Sequence, residues 1–297
     1  MDWLTKMNSA IDYIESNLTN EIDFSVVARK ACCSSYNFQR MFSFITDITL
    51  AEYIRRRRLT QAAIELQNTK IKVIDLAVKY GYDSATSFSR AFKSLHGLTP
   101  IEAKKEGVNL KAYPKISFQI SIKGEQEMDY RIETKEAFEV FGIETICSLK
   151  GEQGYLSPSQ LWQQCQKNGE YEKLFSNVGE LPSYVSQDLC KIHAVENYRK
   201  TEENTFPYML CGFVSKGSNT KDYKTVHIPA QTYAIFPSER FRWDDEFGKV
   251  LTTLQKRFYS EWLPTADYER VDGPNFEIYG GTAEYGYIEL WFPVVKK

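Results

Sequence analysis

One unit is used twice in this chain. Residues 25–53, SVVARKACCSSYNFQRMFSFITDITLAEY, align with residues 73–103, VIDLAVKYGYDSATSFSRAFKSLHGLTPIEA. Ala28 falls on Ala77, Arg40 on Arg90, Phe42 on Phe92, Ile48 on Leu98, Thr49 on Thr99 and Glu52 on Glu102. The offset is 49 before the central turn and 50 after it, so the second turn carries one extra residue. A duplicated unit constrains the fold strongly, because both copies must close in the same way around equivalent apolar positions.

Each copy reads as helix, tight turn, helix. In the second copy Ile74, Leu76, Ala77 and Tyr80 supply the apolar positions of the first helix. Gly81 suits the left-handed conformation that ends it. Asp83 or Ser84 caps the next helix, which carries Phe88, Phe92 and Leu95 at helical spacing as far as Gly97. Thr99 and Pro100 are expected to open a further helix, with Pro in its first position. In the first copy Cys32 stands where Gly81 stands, and its Cβ is unfavourable in a left-handed turn, so this turn is expected to differ locally. Leu4, Met7, Ile11, Ile14 and Leu18 predict an amphipathic helix of about four turns ahead of the first copy. The connector LAEYIRRRRLTQAAIELQNT has no Gly or Pro and predicts one long helix holding the copies at a set separation.

The second helix of each copy must bury one edge and leave the opposite face free. In a helix-turn-helix that face enters the major groove. On it stand Ser35, Tyr36, Gln39 and Arg40 in the first copy, and Ala85, Thr86, Ser89 and Arg90 in the second. Arg reads guanine O6 and N7, Gln reads adenine N6 and N7, and small apolar atoms meet the thymine methyl. A plain helical hairpin with a solvated polar face competes as a reading of one unit, much less of two units with matched Arg and Phe. Charge agrees: the net −2 of the chain conceals +4 up to Ala112 and −6 beyond it, which points to a polyanion partner for the front region alone. Arg55, Arg56, Arg57 and Arg58 project about 100° apart, so at most two face one duplex. One is expected to pack its stem and pair with Glu52 or Glu65.

With 297 residues the chain is long enough for more than one domain, and 42% hydrophobic with 26% charged residues is ordinary for a soluble globular protein. No run of about 18 apolar residues predicts a transmembrane helix. The opening MDWLTKMNSAIDYIESNL lacks the basic and apolar regions of a signal peptide. Cysteines at 32, 33, 147, 165, 190 and 211 form no C-x-x-C, and only three His are present, so no metal site and no cofactor are expected and a reducing cytoplasm fits.

Beyond the repeats the texture changes. In KEGVNLKAYPKISFQISIKGEQEMDYRIE helical periodicity stops; ISFQISI alternates as a strand or an extended connection, and Gly124 breaks it. Residues 108–127 are therefore expected to be a linker. A weaker repeat follows: YRIETKEAFEVFGIE resembles TVHIPAQTYAIFPSE at an offset of 95. Each is strand-like and is followed by a helical stretch, SPSQLWQQCQKNGEYEKLF or WDDEFGKVLTTLQKRFYSEWL. Two strands are then expected after each helix, near 185–197 and 207–216, and near 275–280 and 285–295. Strand, helix, strand, strand, twice over, predicts an α+β domain with an antiparallel sheet. Thirty of the 42 aromatics lie beyond Ala112. Glu277 and Tyr279 share a strand face, as do Tyr287, Glu289 and Trp291. A carboxylate among aromatic rings suits an organic cation, although solvation or pairing with Lys or Arg would also account for either Glu.

Residues 1–107 resemble the DNA-binding region of the AraC/XylS family, on LAVKYGYDSATSFSRAFKSLHGLTP and the paired NFQRMF. The resemblance implies an all-α domain whose two helix-turn-helix units, joined by a long helix, read adjacent major-groove segments. Tyr36, Gln39 and Arg40, then Ala85, Thr86, Ser87, Ser89 and Arg90, fall on its base-reading or groove-lining positions. Ala85 and Thr86 are short for direct readout, and Cys32 departs from the glycine of the pattern. Residues 128–297 are similar to the GyrI-like effector-binding domain, on IPAQTYAIFP, EWLPTADYERVDGPNFEIY and YIELWFPVVK. That resemblance implies a twofold strand-helix-strand-strand repeat around a central cleft, with Glu277 and Glu289 as candidate ligand carboxylates and Tyr279, Trp291 and Trp162 as walls.

The expectation is thus a cytoplasmic transcription regulator. Residues 1–107 would bind double-stranded DNA, 108–127 would link, and 128–297 would bind a small lipophilic effector, an organic cation where a Glu faces it. RNA polymerase is the further partner expected; no membrane is. The alternatives are a GyrI-like hydrolase with a buried Glu as general base, or a module that docks a partner protein behind a DNA-binding headpiece. No Ser-His-Asp motif supports an enzyme.

Overall fold

The computed structural model describes residues 3–105, 107–119, 127–186, 188–243 and 247–297. The chain divides into two compact units, Met1–Phe38 with Thr46–Ile120, and Gln39–Ile45 with Ser121–Lys297.

The helical region runs α1 (Trp3–Ser16), α2 (Phe24–Ala31), α3 (Ser35–Thr46), α4 (Leu50–Asn68), α5 (Val73–Lys79) and α6 (Ala85–His96). Short polar side chains set the helix starts, because their oxygens satisfy backbone N–H groups that have no intrahelical acceptor. Ser34 Oγ accepts from Asn37 N–H at 3.2 Å, Thr49 Oγ1 from Glu52 N–H at 3.1 Å, and Ser84 Oγ from Ser87 N–H at 3.1 Å. Ser84, not Asp83, is therefore the cap of α6. The α4 helix places Leu59, Ala62, Ala63 and Leu66 against Leu76, Ala77 and Tyr80 of α5 and Phe88, Phe92 and Leu95 of α6. Burying each Phe contributes roughly 1.5–3 kcal/mol, so the aromatic edge of α6 is what seats that short helix.

Two local expectations are corrected. Cys32 does adopt the left-handed conformation, with φ 54° and ψ 41°, and Gly81 has φ 78°. Both turns close alike: Cys33 N–H donates to Ala28 O at 3.1 Å, and Tyr82 N–H to Ala77 O at 2.9 Å. The hydrogen-bonded closure outweighs the Cβ penalty of about 1–2 kcal/mol. Cys32→Gly is accordingly expected to raise stability by about 0.5–1 kcal/mol, the relieved strain exceeding the extra entropy of the unfolded chain. A higher urea midpoint by circular dichroism checks this, and an unchanged or lower one refutes it. The helix expected after Pro100 is only a 3₁₀ turn, Glu102–Lys104.

The four arginines at the start of α4 are all engaged. Arg55 and Arg56 pair with Glu52 at 2.7 and 2.5 Å, Arg57 pairs with Glu15 of α1 at 2.7 Å, and Arg58 donates to Leu18 O and Asn20 O. Glu65 takes Lys79 instead. Residues 107–119 form no ladder but lie against the helices: the N–H groups of Tyr113, Ile116 and Phe118 donate to Thr60 Oγ1, Tyr53 OH and Asn8 Oδ1. The rest of the alternating stretch, with Gly124, falls in residues 120–126, outside the described residues.

The second unit is built on one antiparallel sheet. In chain order its elements are β1 (Arg131–Lys135), β2 (Phe138–Ser148), α7 (Pro158–Asn168), α8 (Glu170–Asn177), β3 (His193–Glu196), β4 (Thr205–Phe213), β5 (Lys224–Ile228), β6 (Gln231–Pro237), β7 (Phe241–Arg242), α9 (Phe247–Arg257) continuing into a π-helical turn (Phe258–Trp262), β8 (Tyr268–Arg270), β9 (Asn275–Gly281) and β10 (Tyr285–Lys296). The order across the sheet is β1-β6-β10-β9-β3-β4-β2-β5, with β7 and β8 also on β10. Each of the two strand-like stretches expected from the weak repeat proves to be two strands, β1 and β2 or β5 and β6, which pair between the stretches, β1 with β6 and β2 with β5, and not with each other. The strand expected at 185–197 shrinks to four residues, and Gly169, at φ 79°, splits the first helical stretch in two. Residues 244–246 of the second helical stretch lie outside the described residues.

Candidate DNA-reading helices and effector cleft

On α6 the burial of Phe88, Phe92 and Leu95 turns the opposite side outward. Thr86, Ser87 and Arg90 are exposed there, and Ala85 and Ser89 are half-buried. The Ser87 hydroxyl is already spent locally, donating to Ser84 O at 2.9 Å, so Arg90 is the long cation of this face. On α3, Ser35, Tyr36, Gln39 and Arg40 occupy the matching positions, but the expected free face is not what the structure shows. Gln39 and Arg40 belong to the second unit, where Gln39 Nε2 donates to Asn204 Oδ1 at 3.0 Å and Arg40 pairs with Glu196 at 2.9 Å.

Sheet register separates the two candidate carboxylates. Residues directly opposite on paired strands share a face. Glu277 lies opposite Leu290, Ile278 opposite Glu289, and Phe276 opposite Trp291. Glu289 and Trp291 therefore lie on the Phe276–Ile278 face, away from Glu277 and Tyr279. There Arg131 pairs with Glu289 at 2.9 Å and Trp291 Nε1 donates to Glu289 Oε2 at 3.0 Å. The Trp291 ring is 2% exposed and packs in a core with Phe276 and Tyr233. Neither residue is a cleft wall.

Glu277 has a different setting. It is 8% exposed, opposite Ala194 on β3. Its Oε2 accepts from Tyr279 OH at 2.6 Å and Tyr208 OH at 3.3 Å. Trp162 Nε1 of α7 donates to Tyr208 OH at 3.0 Å, and the Trp162 ring meets Tyr279 edge-on at 5.6 Å. Burial pushes the Glu277 carboxyl up to about 7; the negative charge of Glu196 adds to this and the two phenol donors oppose it. His193 stacks beside Tyr279 and accepts its backbone N–H at Nδ1, 3.2 Å away. Burial holds the His193 pKa down to about 3, so it stays neutral.

Outside this layer opens a cleft of 660 Å³ whose walls include Trp162, Tyr171, Ile192, Trp243, Phe247 and Tyr279. Trp162 and Tyr279 thus serve two layers, facing the cleft and reaching back to the Glu277 network. Of the five expected ligand residues the structure brings together Glu277, Tyr279 and Trp162. Sequence reasoning missed Tyr171, Tyr208, Trp243 and Phe247; the density of aromatics was their only signal. Such an arrangement offers flat apolar area, electron-rich rings and a carboxyl one phenol behind them.

A duplicated helix-turn-helix ahead of an antiparallel sheet with an aromatic cleft is the build of a ligand-responsive, DNA-binding regulator. Residues 131–294 match the family described as integron-associated effector binding protein, and residues 27–106 match a helix-turn-helix domain. The chain belongs to this family, as an AraC-type transcription regulator with a GyrI-like effector-binding domain. The Tn10 TetD protein of Escherichia coli is 44% identical over 96 residues, 32% of this chain and 70% of that protein. The regulatory protein SoxS of Salmonella typhimurium is 39% identical over 94 residues, 32% of this chain and 88% of that protein. A putative transcription regulation protein of Staphylococcus aureus, of known structure, is 16% identical and covers 57% of this chain and 99% of its own, with a TM-score of 0.42. No helix among the described residues is long and apolar enough to cross a membrane.

Proposed function

We propose that the protein adjusts transcription in response to a small lipophilic molecule, with organic cations as the favoured class. The observation that carries this reading is Glu277: a buried carboxyl that, among the described residues, receives phenol O–H groups and no ion pair, set behind a wall of aromatic rings. An ionised carboxylate in such a place is costly unless positive charge approaches it. A cation against the cleft rings supplies that charge and gains cation–π attraction, about 2 kcal/mol where water is excluded. Methyltriphenylphosphonium should bind the full chain in calorimetric titration at pH 8; absence of binding would remove the cation reading.

On the DNA side Arg90 and Arg40 are the proposed base readers, Arg40 exchanging its Glu196 partner for a base edge. Arg90→Ala and Arg40→Ala are each expected to cost about 1–3 kcal/mol on a duplex selected from a random pool, and to relax preference at one or two base pairs. Equal weakening on selected and random DNA would assign both side chains to phosphate. The regulator is taken to act beside RNA polymerase in the cytoplasm without turning its ligand over, so ligand recovered after incubation should have an unchanged mass.

A further inference from the structure

Resting on that reading of the cleft, we infer that Tyr279 makes it a site for two ligand classes: organic cations when Glu277 is ionised, and neutral hydrogen-bond acceptors when Glu277 carries a proton. The geometry is a relay of three groups. Tyr279 lines the cleft and its hydroxyl lies 2.6 Å from Glu277 Oε2, so one hydrogen bond joins them whichever oxygen holds the proton. With Glu277 ionised the carboxylate has no proton to give. Tyr279 O–H is then committed inward, and the cleft sees electron-rich rings with a negative charge behind them. With Glu277 protonated the acid donates to the phenol oxygen. The Tyr279 O–H is then free to turn outward and donate to a ligand, a phosphoryl or carbonyl oxygen for example. The only change between the two states is one proton, released to solvent when Glu277 ionises and taken back when it is protonated.

The surroundings place this exchange near neutral pH. From β9 and β4, Tyr279 and Tyr208 favour the ionised form by donating to it. From β3, Glu196 disfavours it, and the Arg40 guanidinium partly offsets Glu196. From α7, Trp162 reaches Tyr208 and carries no charge. His193, next to Tyr279, is neutral throughout. Burial dominates the sum and brings the Glu277 carboxyl to about 7.

The test uses two molecules of nearly one shape, methyltriphenylphosphonium and neutral triphenylphosphine oxide, titrated into the full chain at pH 6 and pH 8. For a site switching at about pH 7, the cation should bind about tenfold more tightly at pH 8 and the oxide about tenfold more tightly at pH 6. Glu277→Gln should flatten both responses. Tyr279→Phe should flatten the oxide response alone and leave the cation tighter at the higher pH, with near-ultraviolet circular dichroism confirming a native core in each variant. Equal affinity at both pH values in the unmodified protein, or responses of the same sign for both ligands, overturns the inference. So does an oxide response that survives Tyr279→Phe. Failure of both ligands to bind at either pH is a different result, and sinks the effector reading itself.

Discussion

Glu277→Gln is expected to weaken binding of an organic cation at pH 8 by about tenfold to a hundredfold, since a charge-assisted contact contributes roughly 1.5–3 kcal/mol. Gln keeps the shape and the hydrogen-bond acceptor and removes the charge. The same substitution should stabilise the protein at alkaline pH. The folded Glu277 carboxyl is pushed up to about 7, above the ordinary glutamate value of 4.5. Its contribution to stability is therefore fully present below about pH 4.5 and is lost as pH rises to about 7. Above that the group disfavours the folded state by on the order of 3–4 kcal/mol relative to acid conditions. Gln does not titrate, so the variant should gain most over the parent at pH 8 and little at pH 5. Thermal melts at the two pH values read this directly, and a parallel pH response in parent and variant would show that Glu277 is ionised in the fold at all of them.

The second large effect is structural. Arg57→Ala is expected to cost about 3–5 kcal/mol, and Arg55→Ala within about 1 kcal/mol. Both carry the same charge in the same run, yet the Arg57 side chain is 8% exposed and that of Arg55 is 38%. Arg57 bonds Glu15 through two nitrogens' reach, and also donates to Tyr113 O. Glu15 in turn accepts from Tyr53 OH at 2.7 Å. Removing Arg57 strands a half-buried carboxylate between α1 and α4. Removing Arg55 leaves Glu52 with Arg56 in solvent. Urea unfolding followed by helical circular dichroism separates them; similar midpoints would mean that the Glu15 network relaxes at little cost.

The two variants also mark where sequence reading stopped. Helical spacing showed that four consecutive arginines diverge, and that at most two could face a duplex. It did not show that Glu15, 42 residues upstream, would claim Arg57, since that pairing depends on how α1 crosses α4. In the sheet, alternation correctly grouped Glu277 with Tyr279 and Glu289 with Trp291. Alternation is a property of one strand, however, and register relates two. The pairing of Glu277 with Leu290 put the carboxylates on opposite faces, one paired with Arg131 and the other accepting from the phenols of Tyr208 and Tyr279. Tyr208 and Trp162 could not be joined to Glu277 from sequence either, being 69 and 115 residues away along the chain.

The linear sequence by itself determined the duplicated helix-turn-helix, its aromatic edge and the antiparallel α+β character of the remainder. All of these rest on residue spacing within single elements, compared between repeats, where backbone geometry alone dictates which side chains share a face. The tertiary structure alone decided which arginine is buried, which Glu stays without a cation, and which rings enclose the cleft. Each of those outcomes depends on desolvation and partner choice between distant segments, and neither quantity exists until the chain has closed on itself.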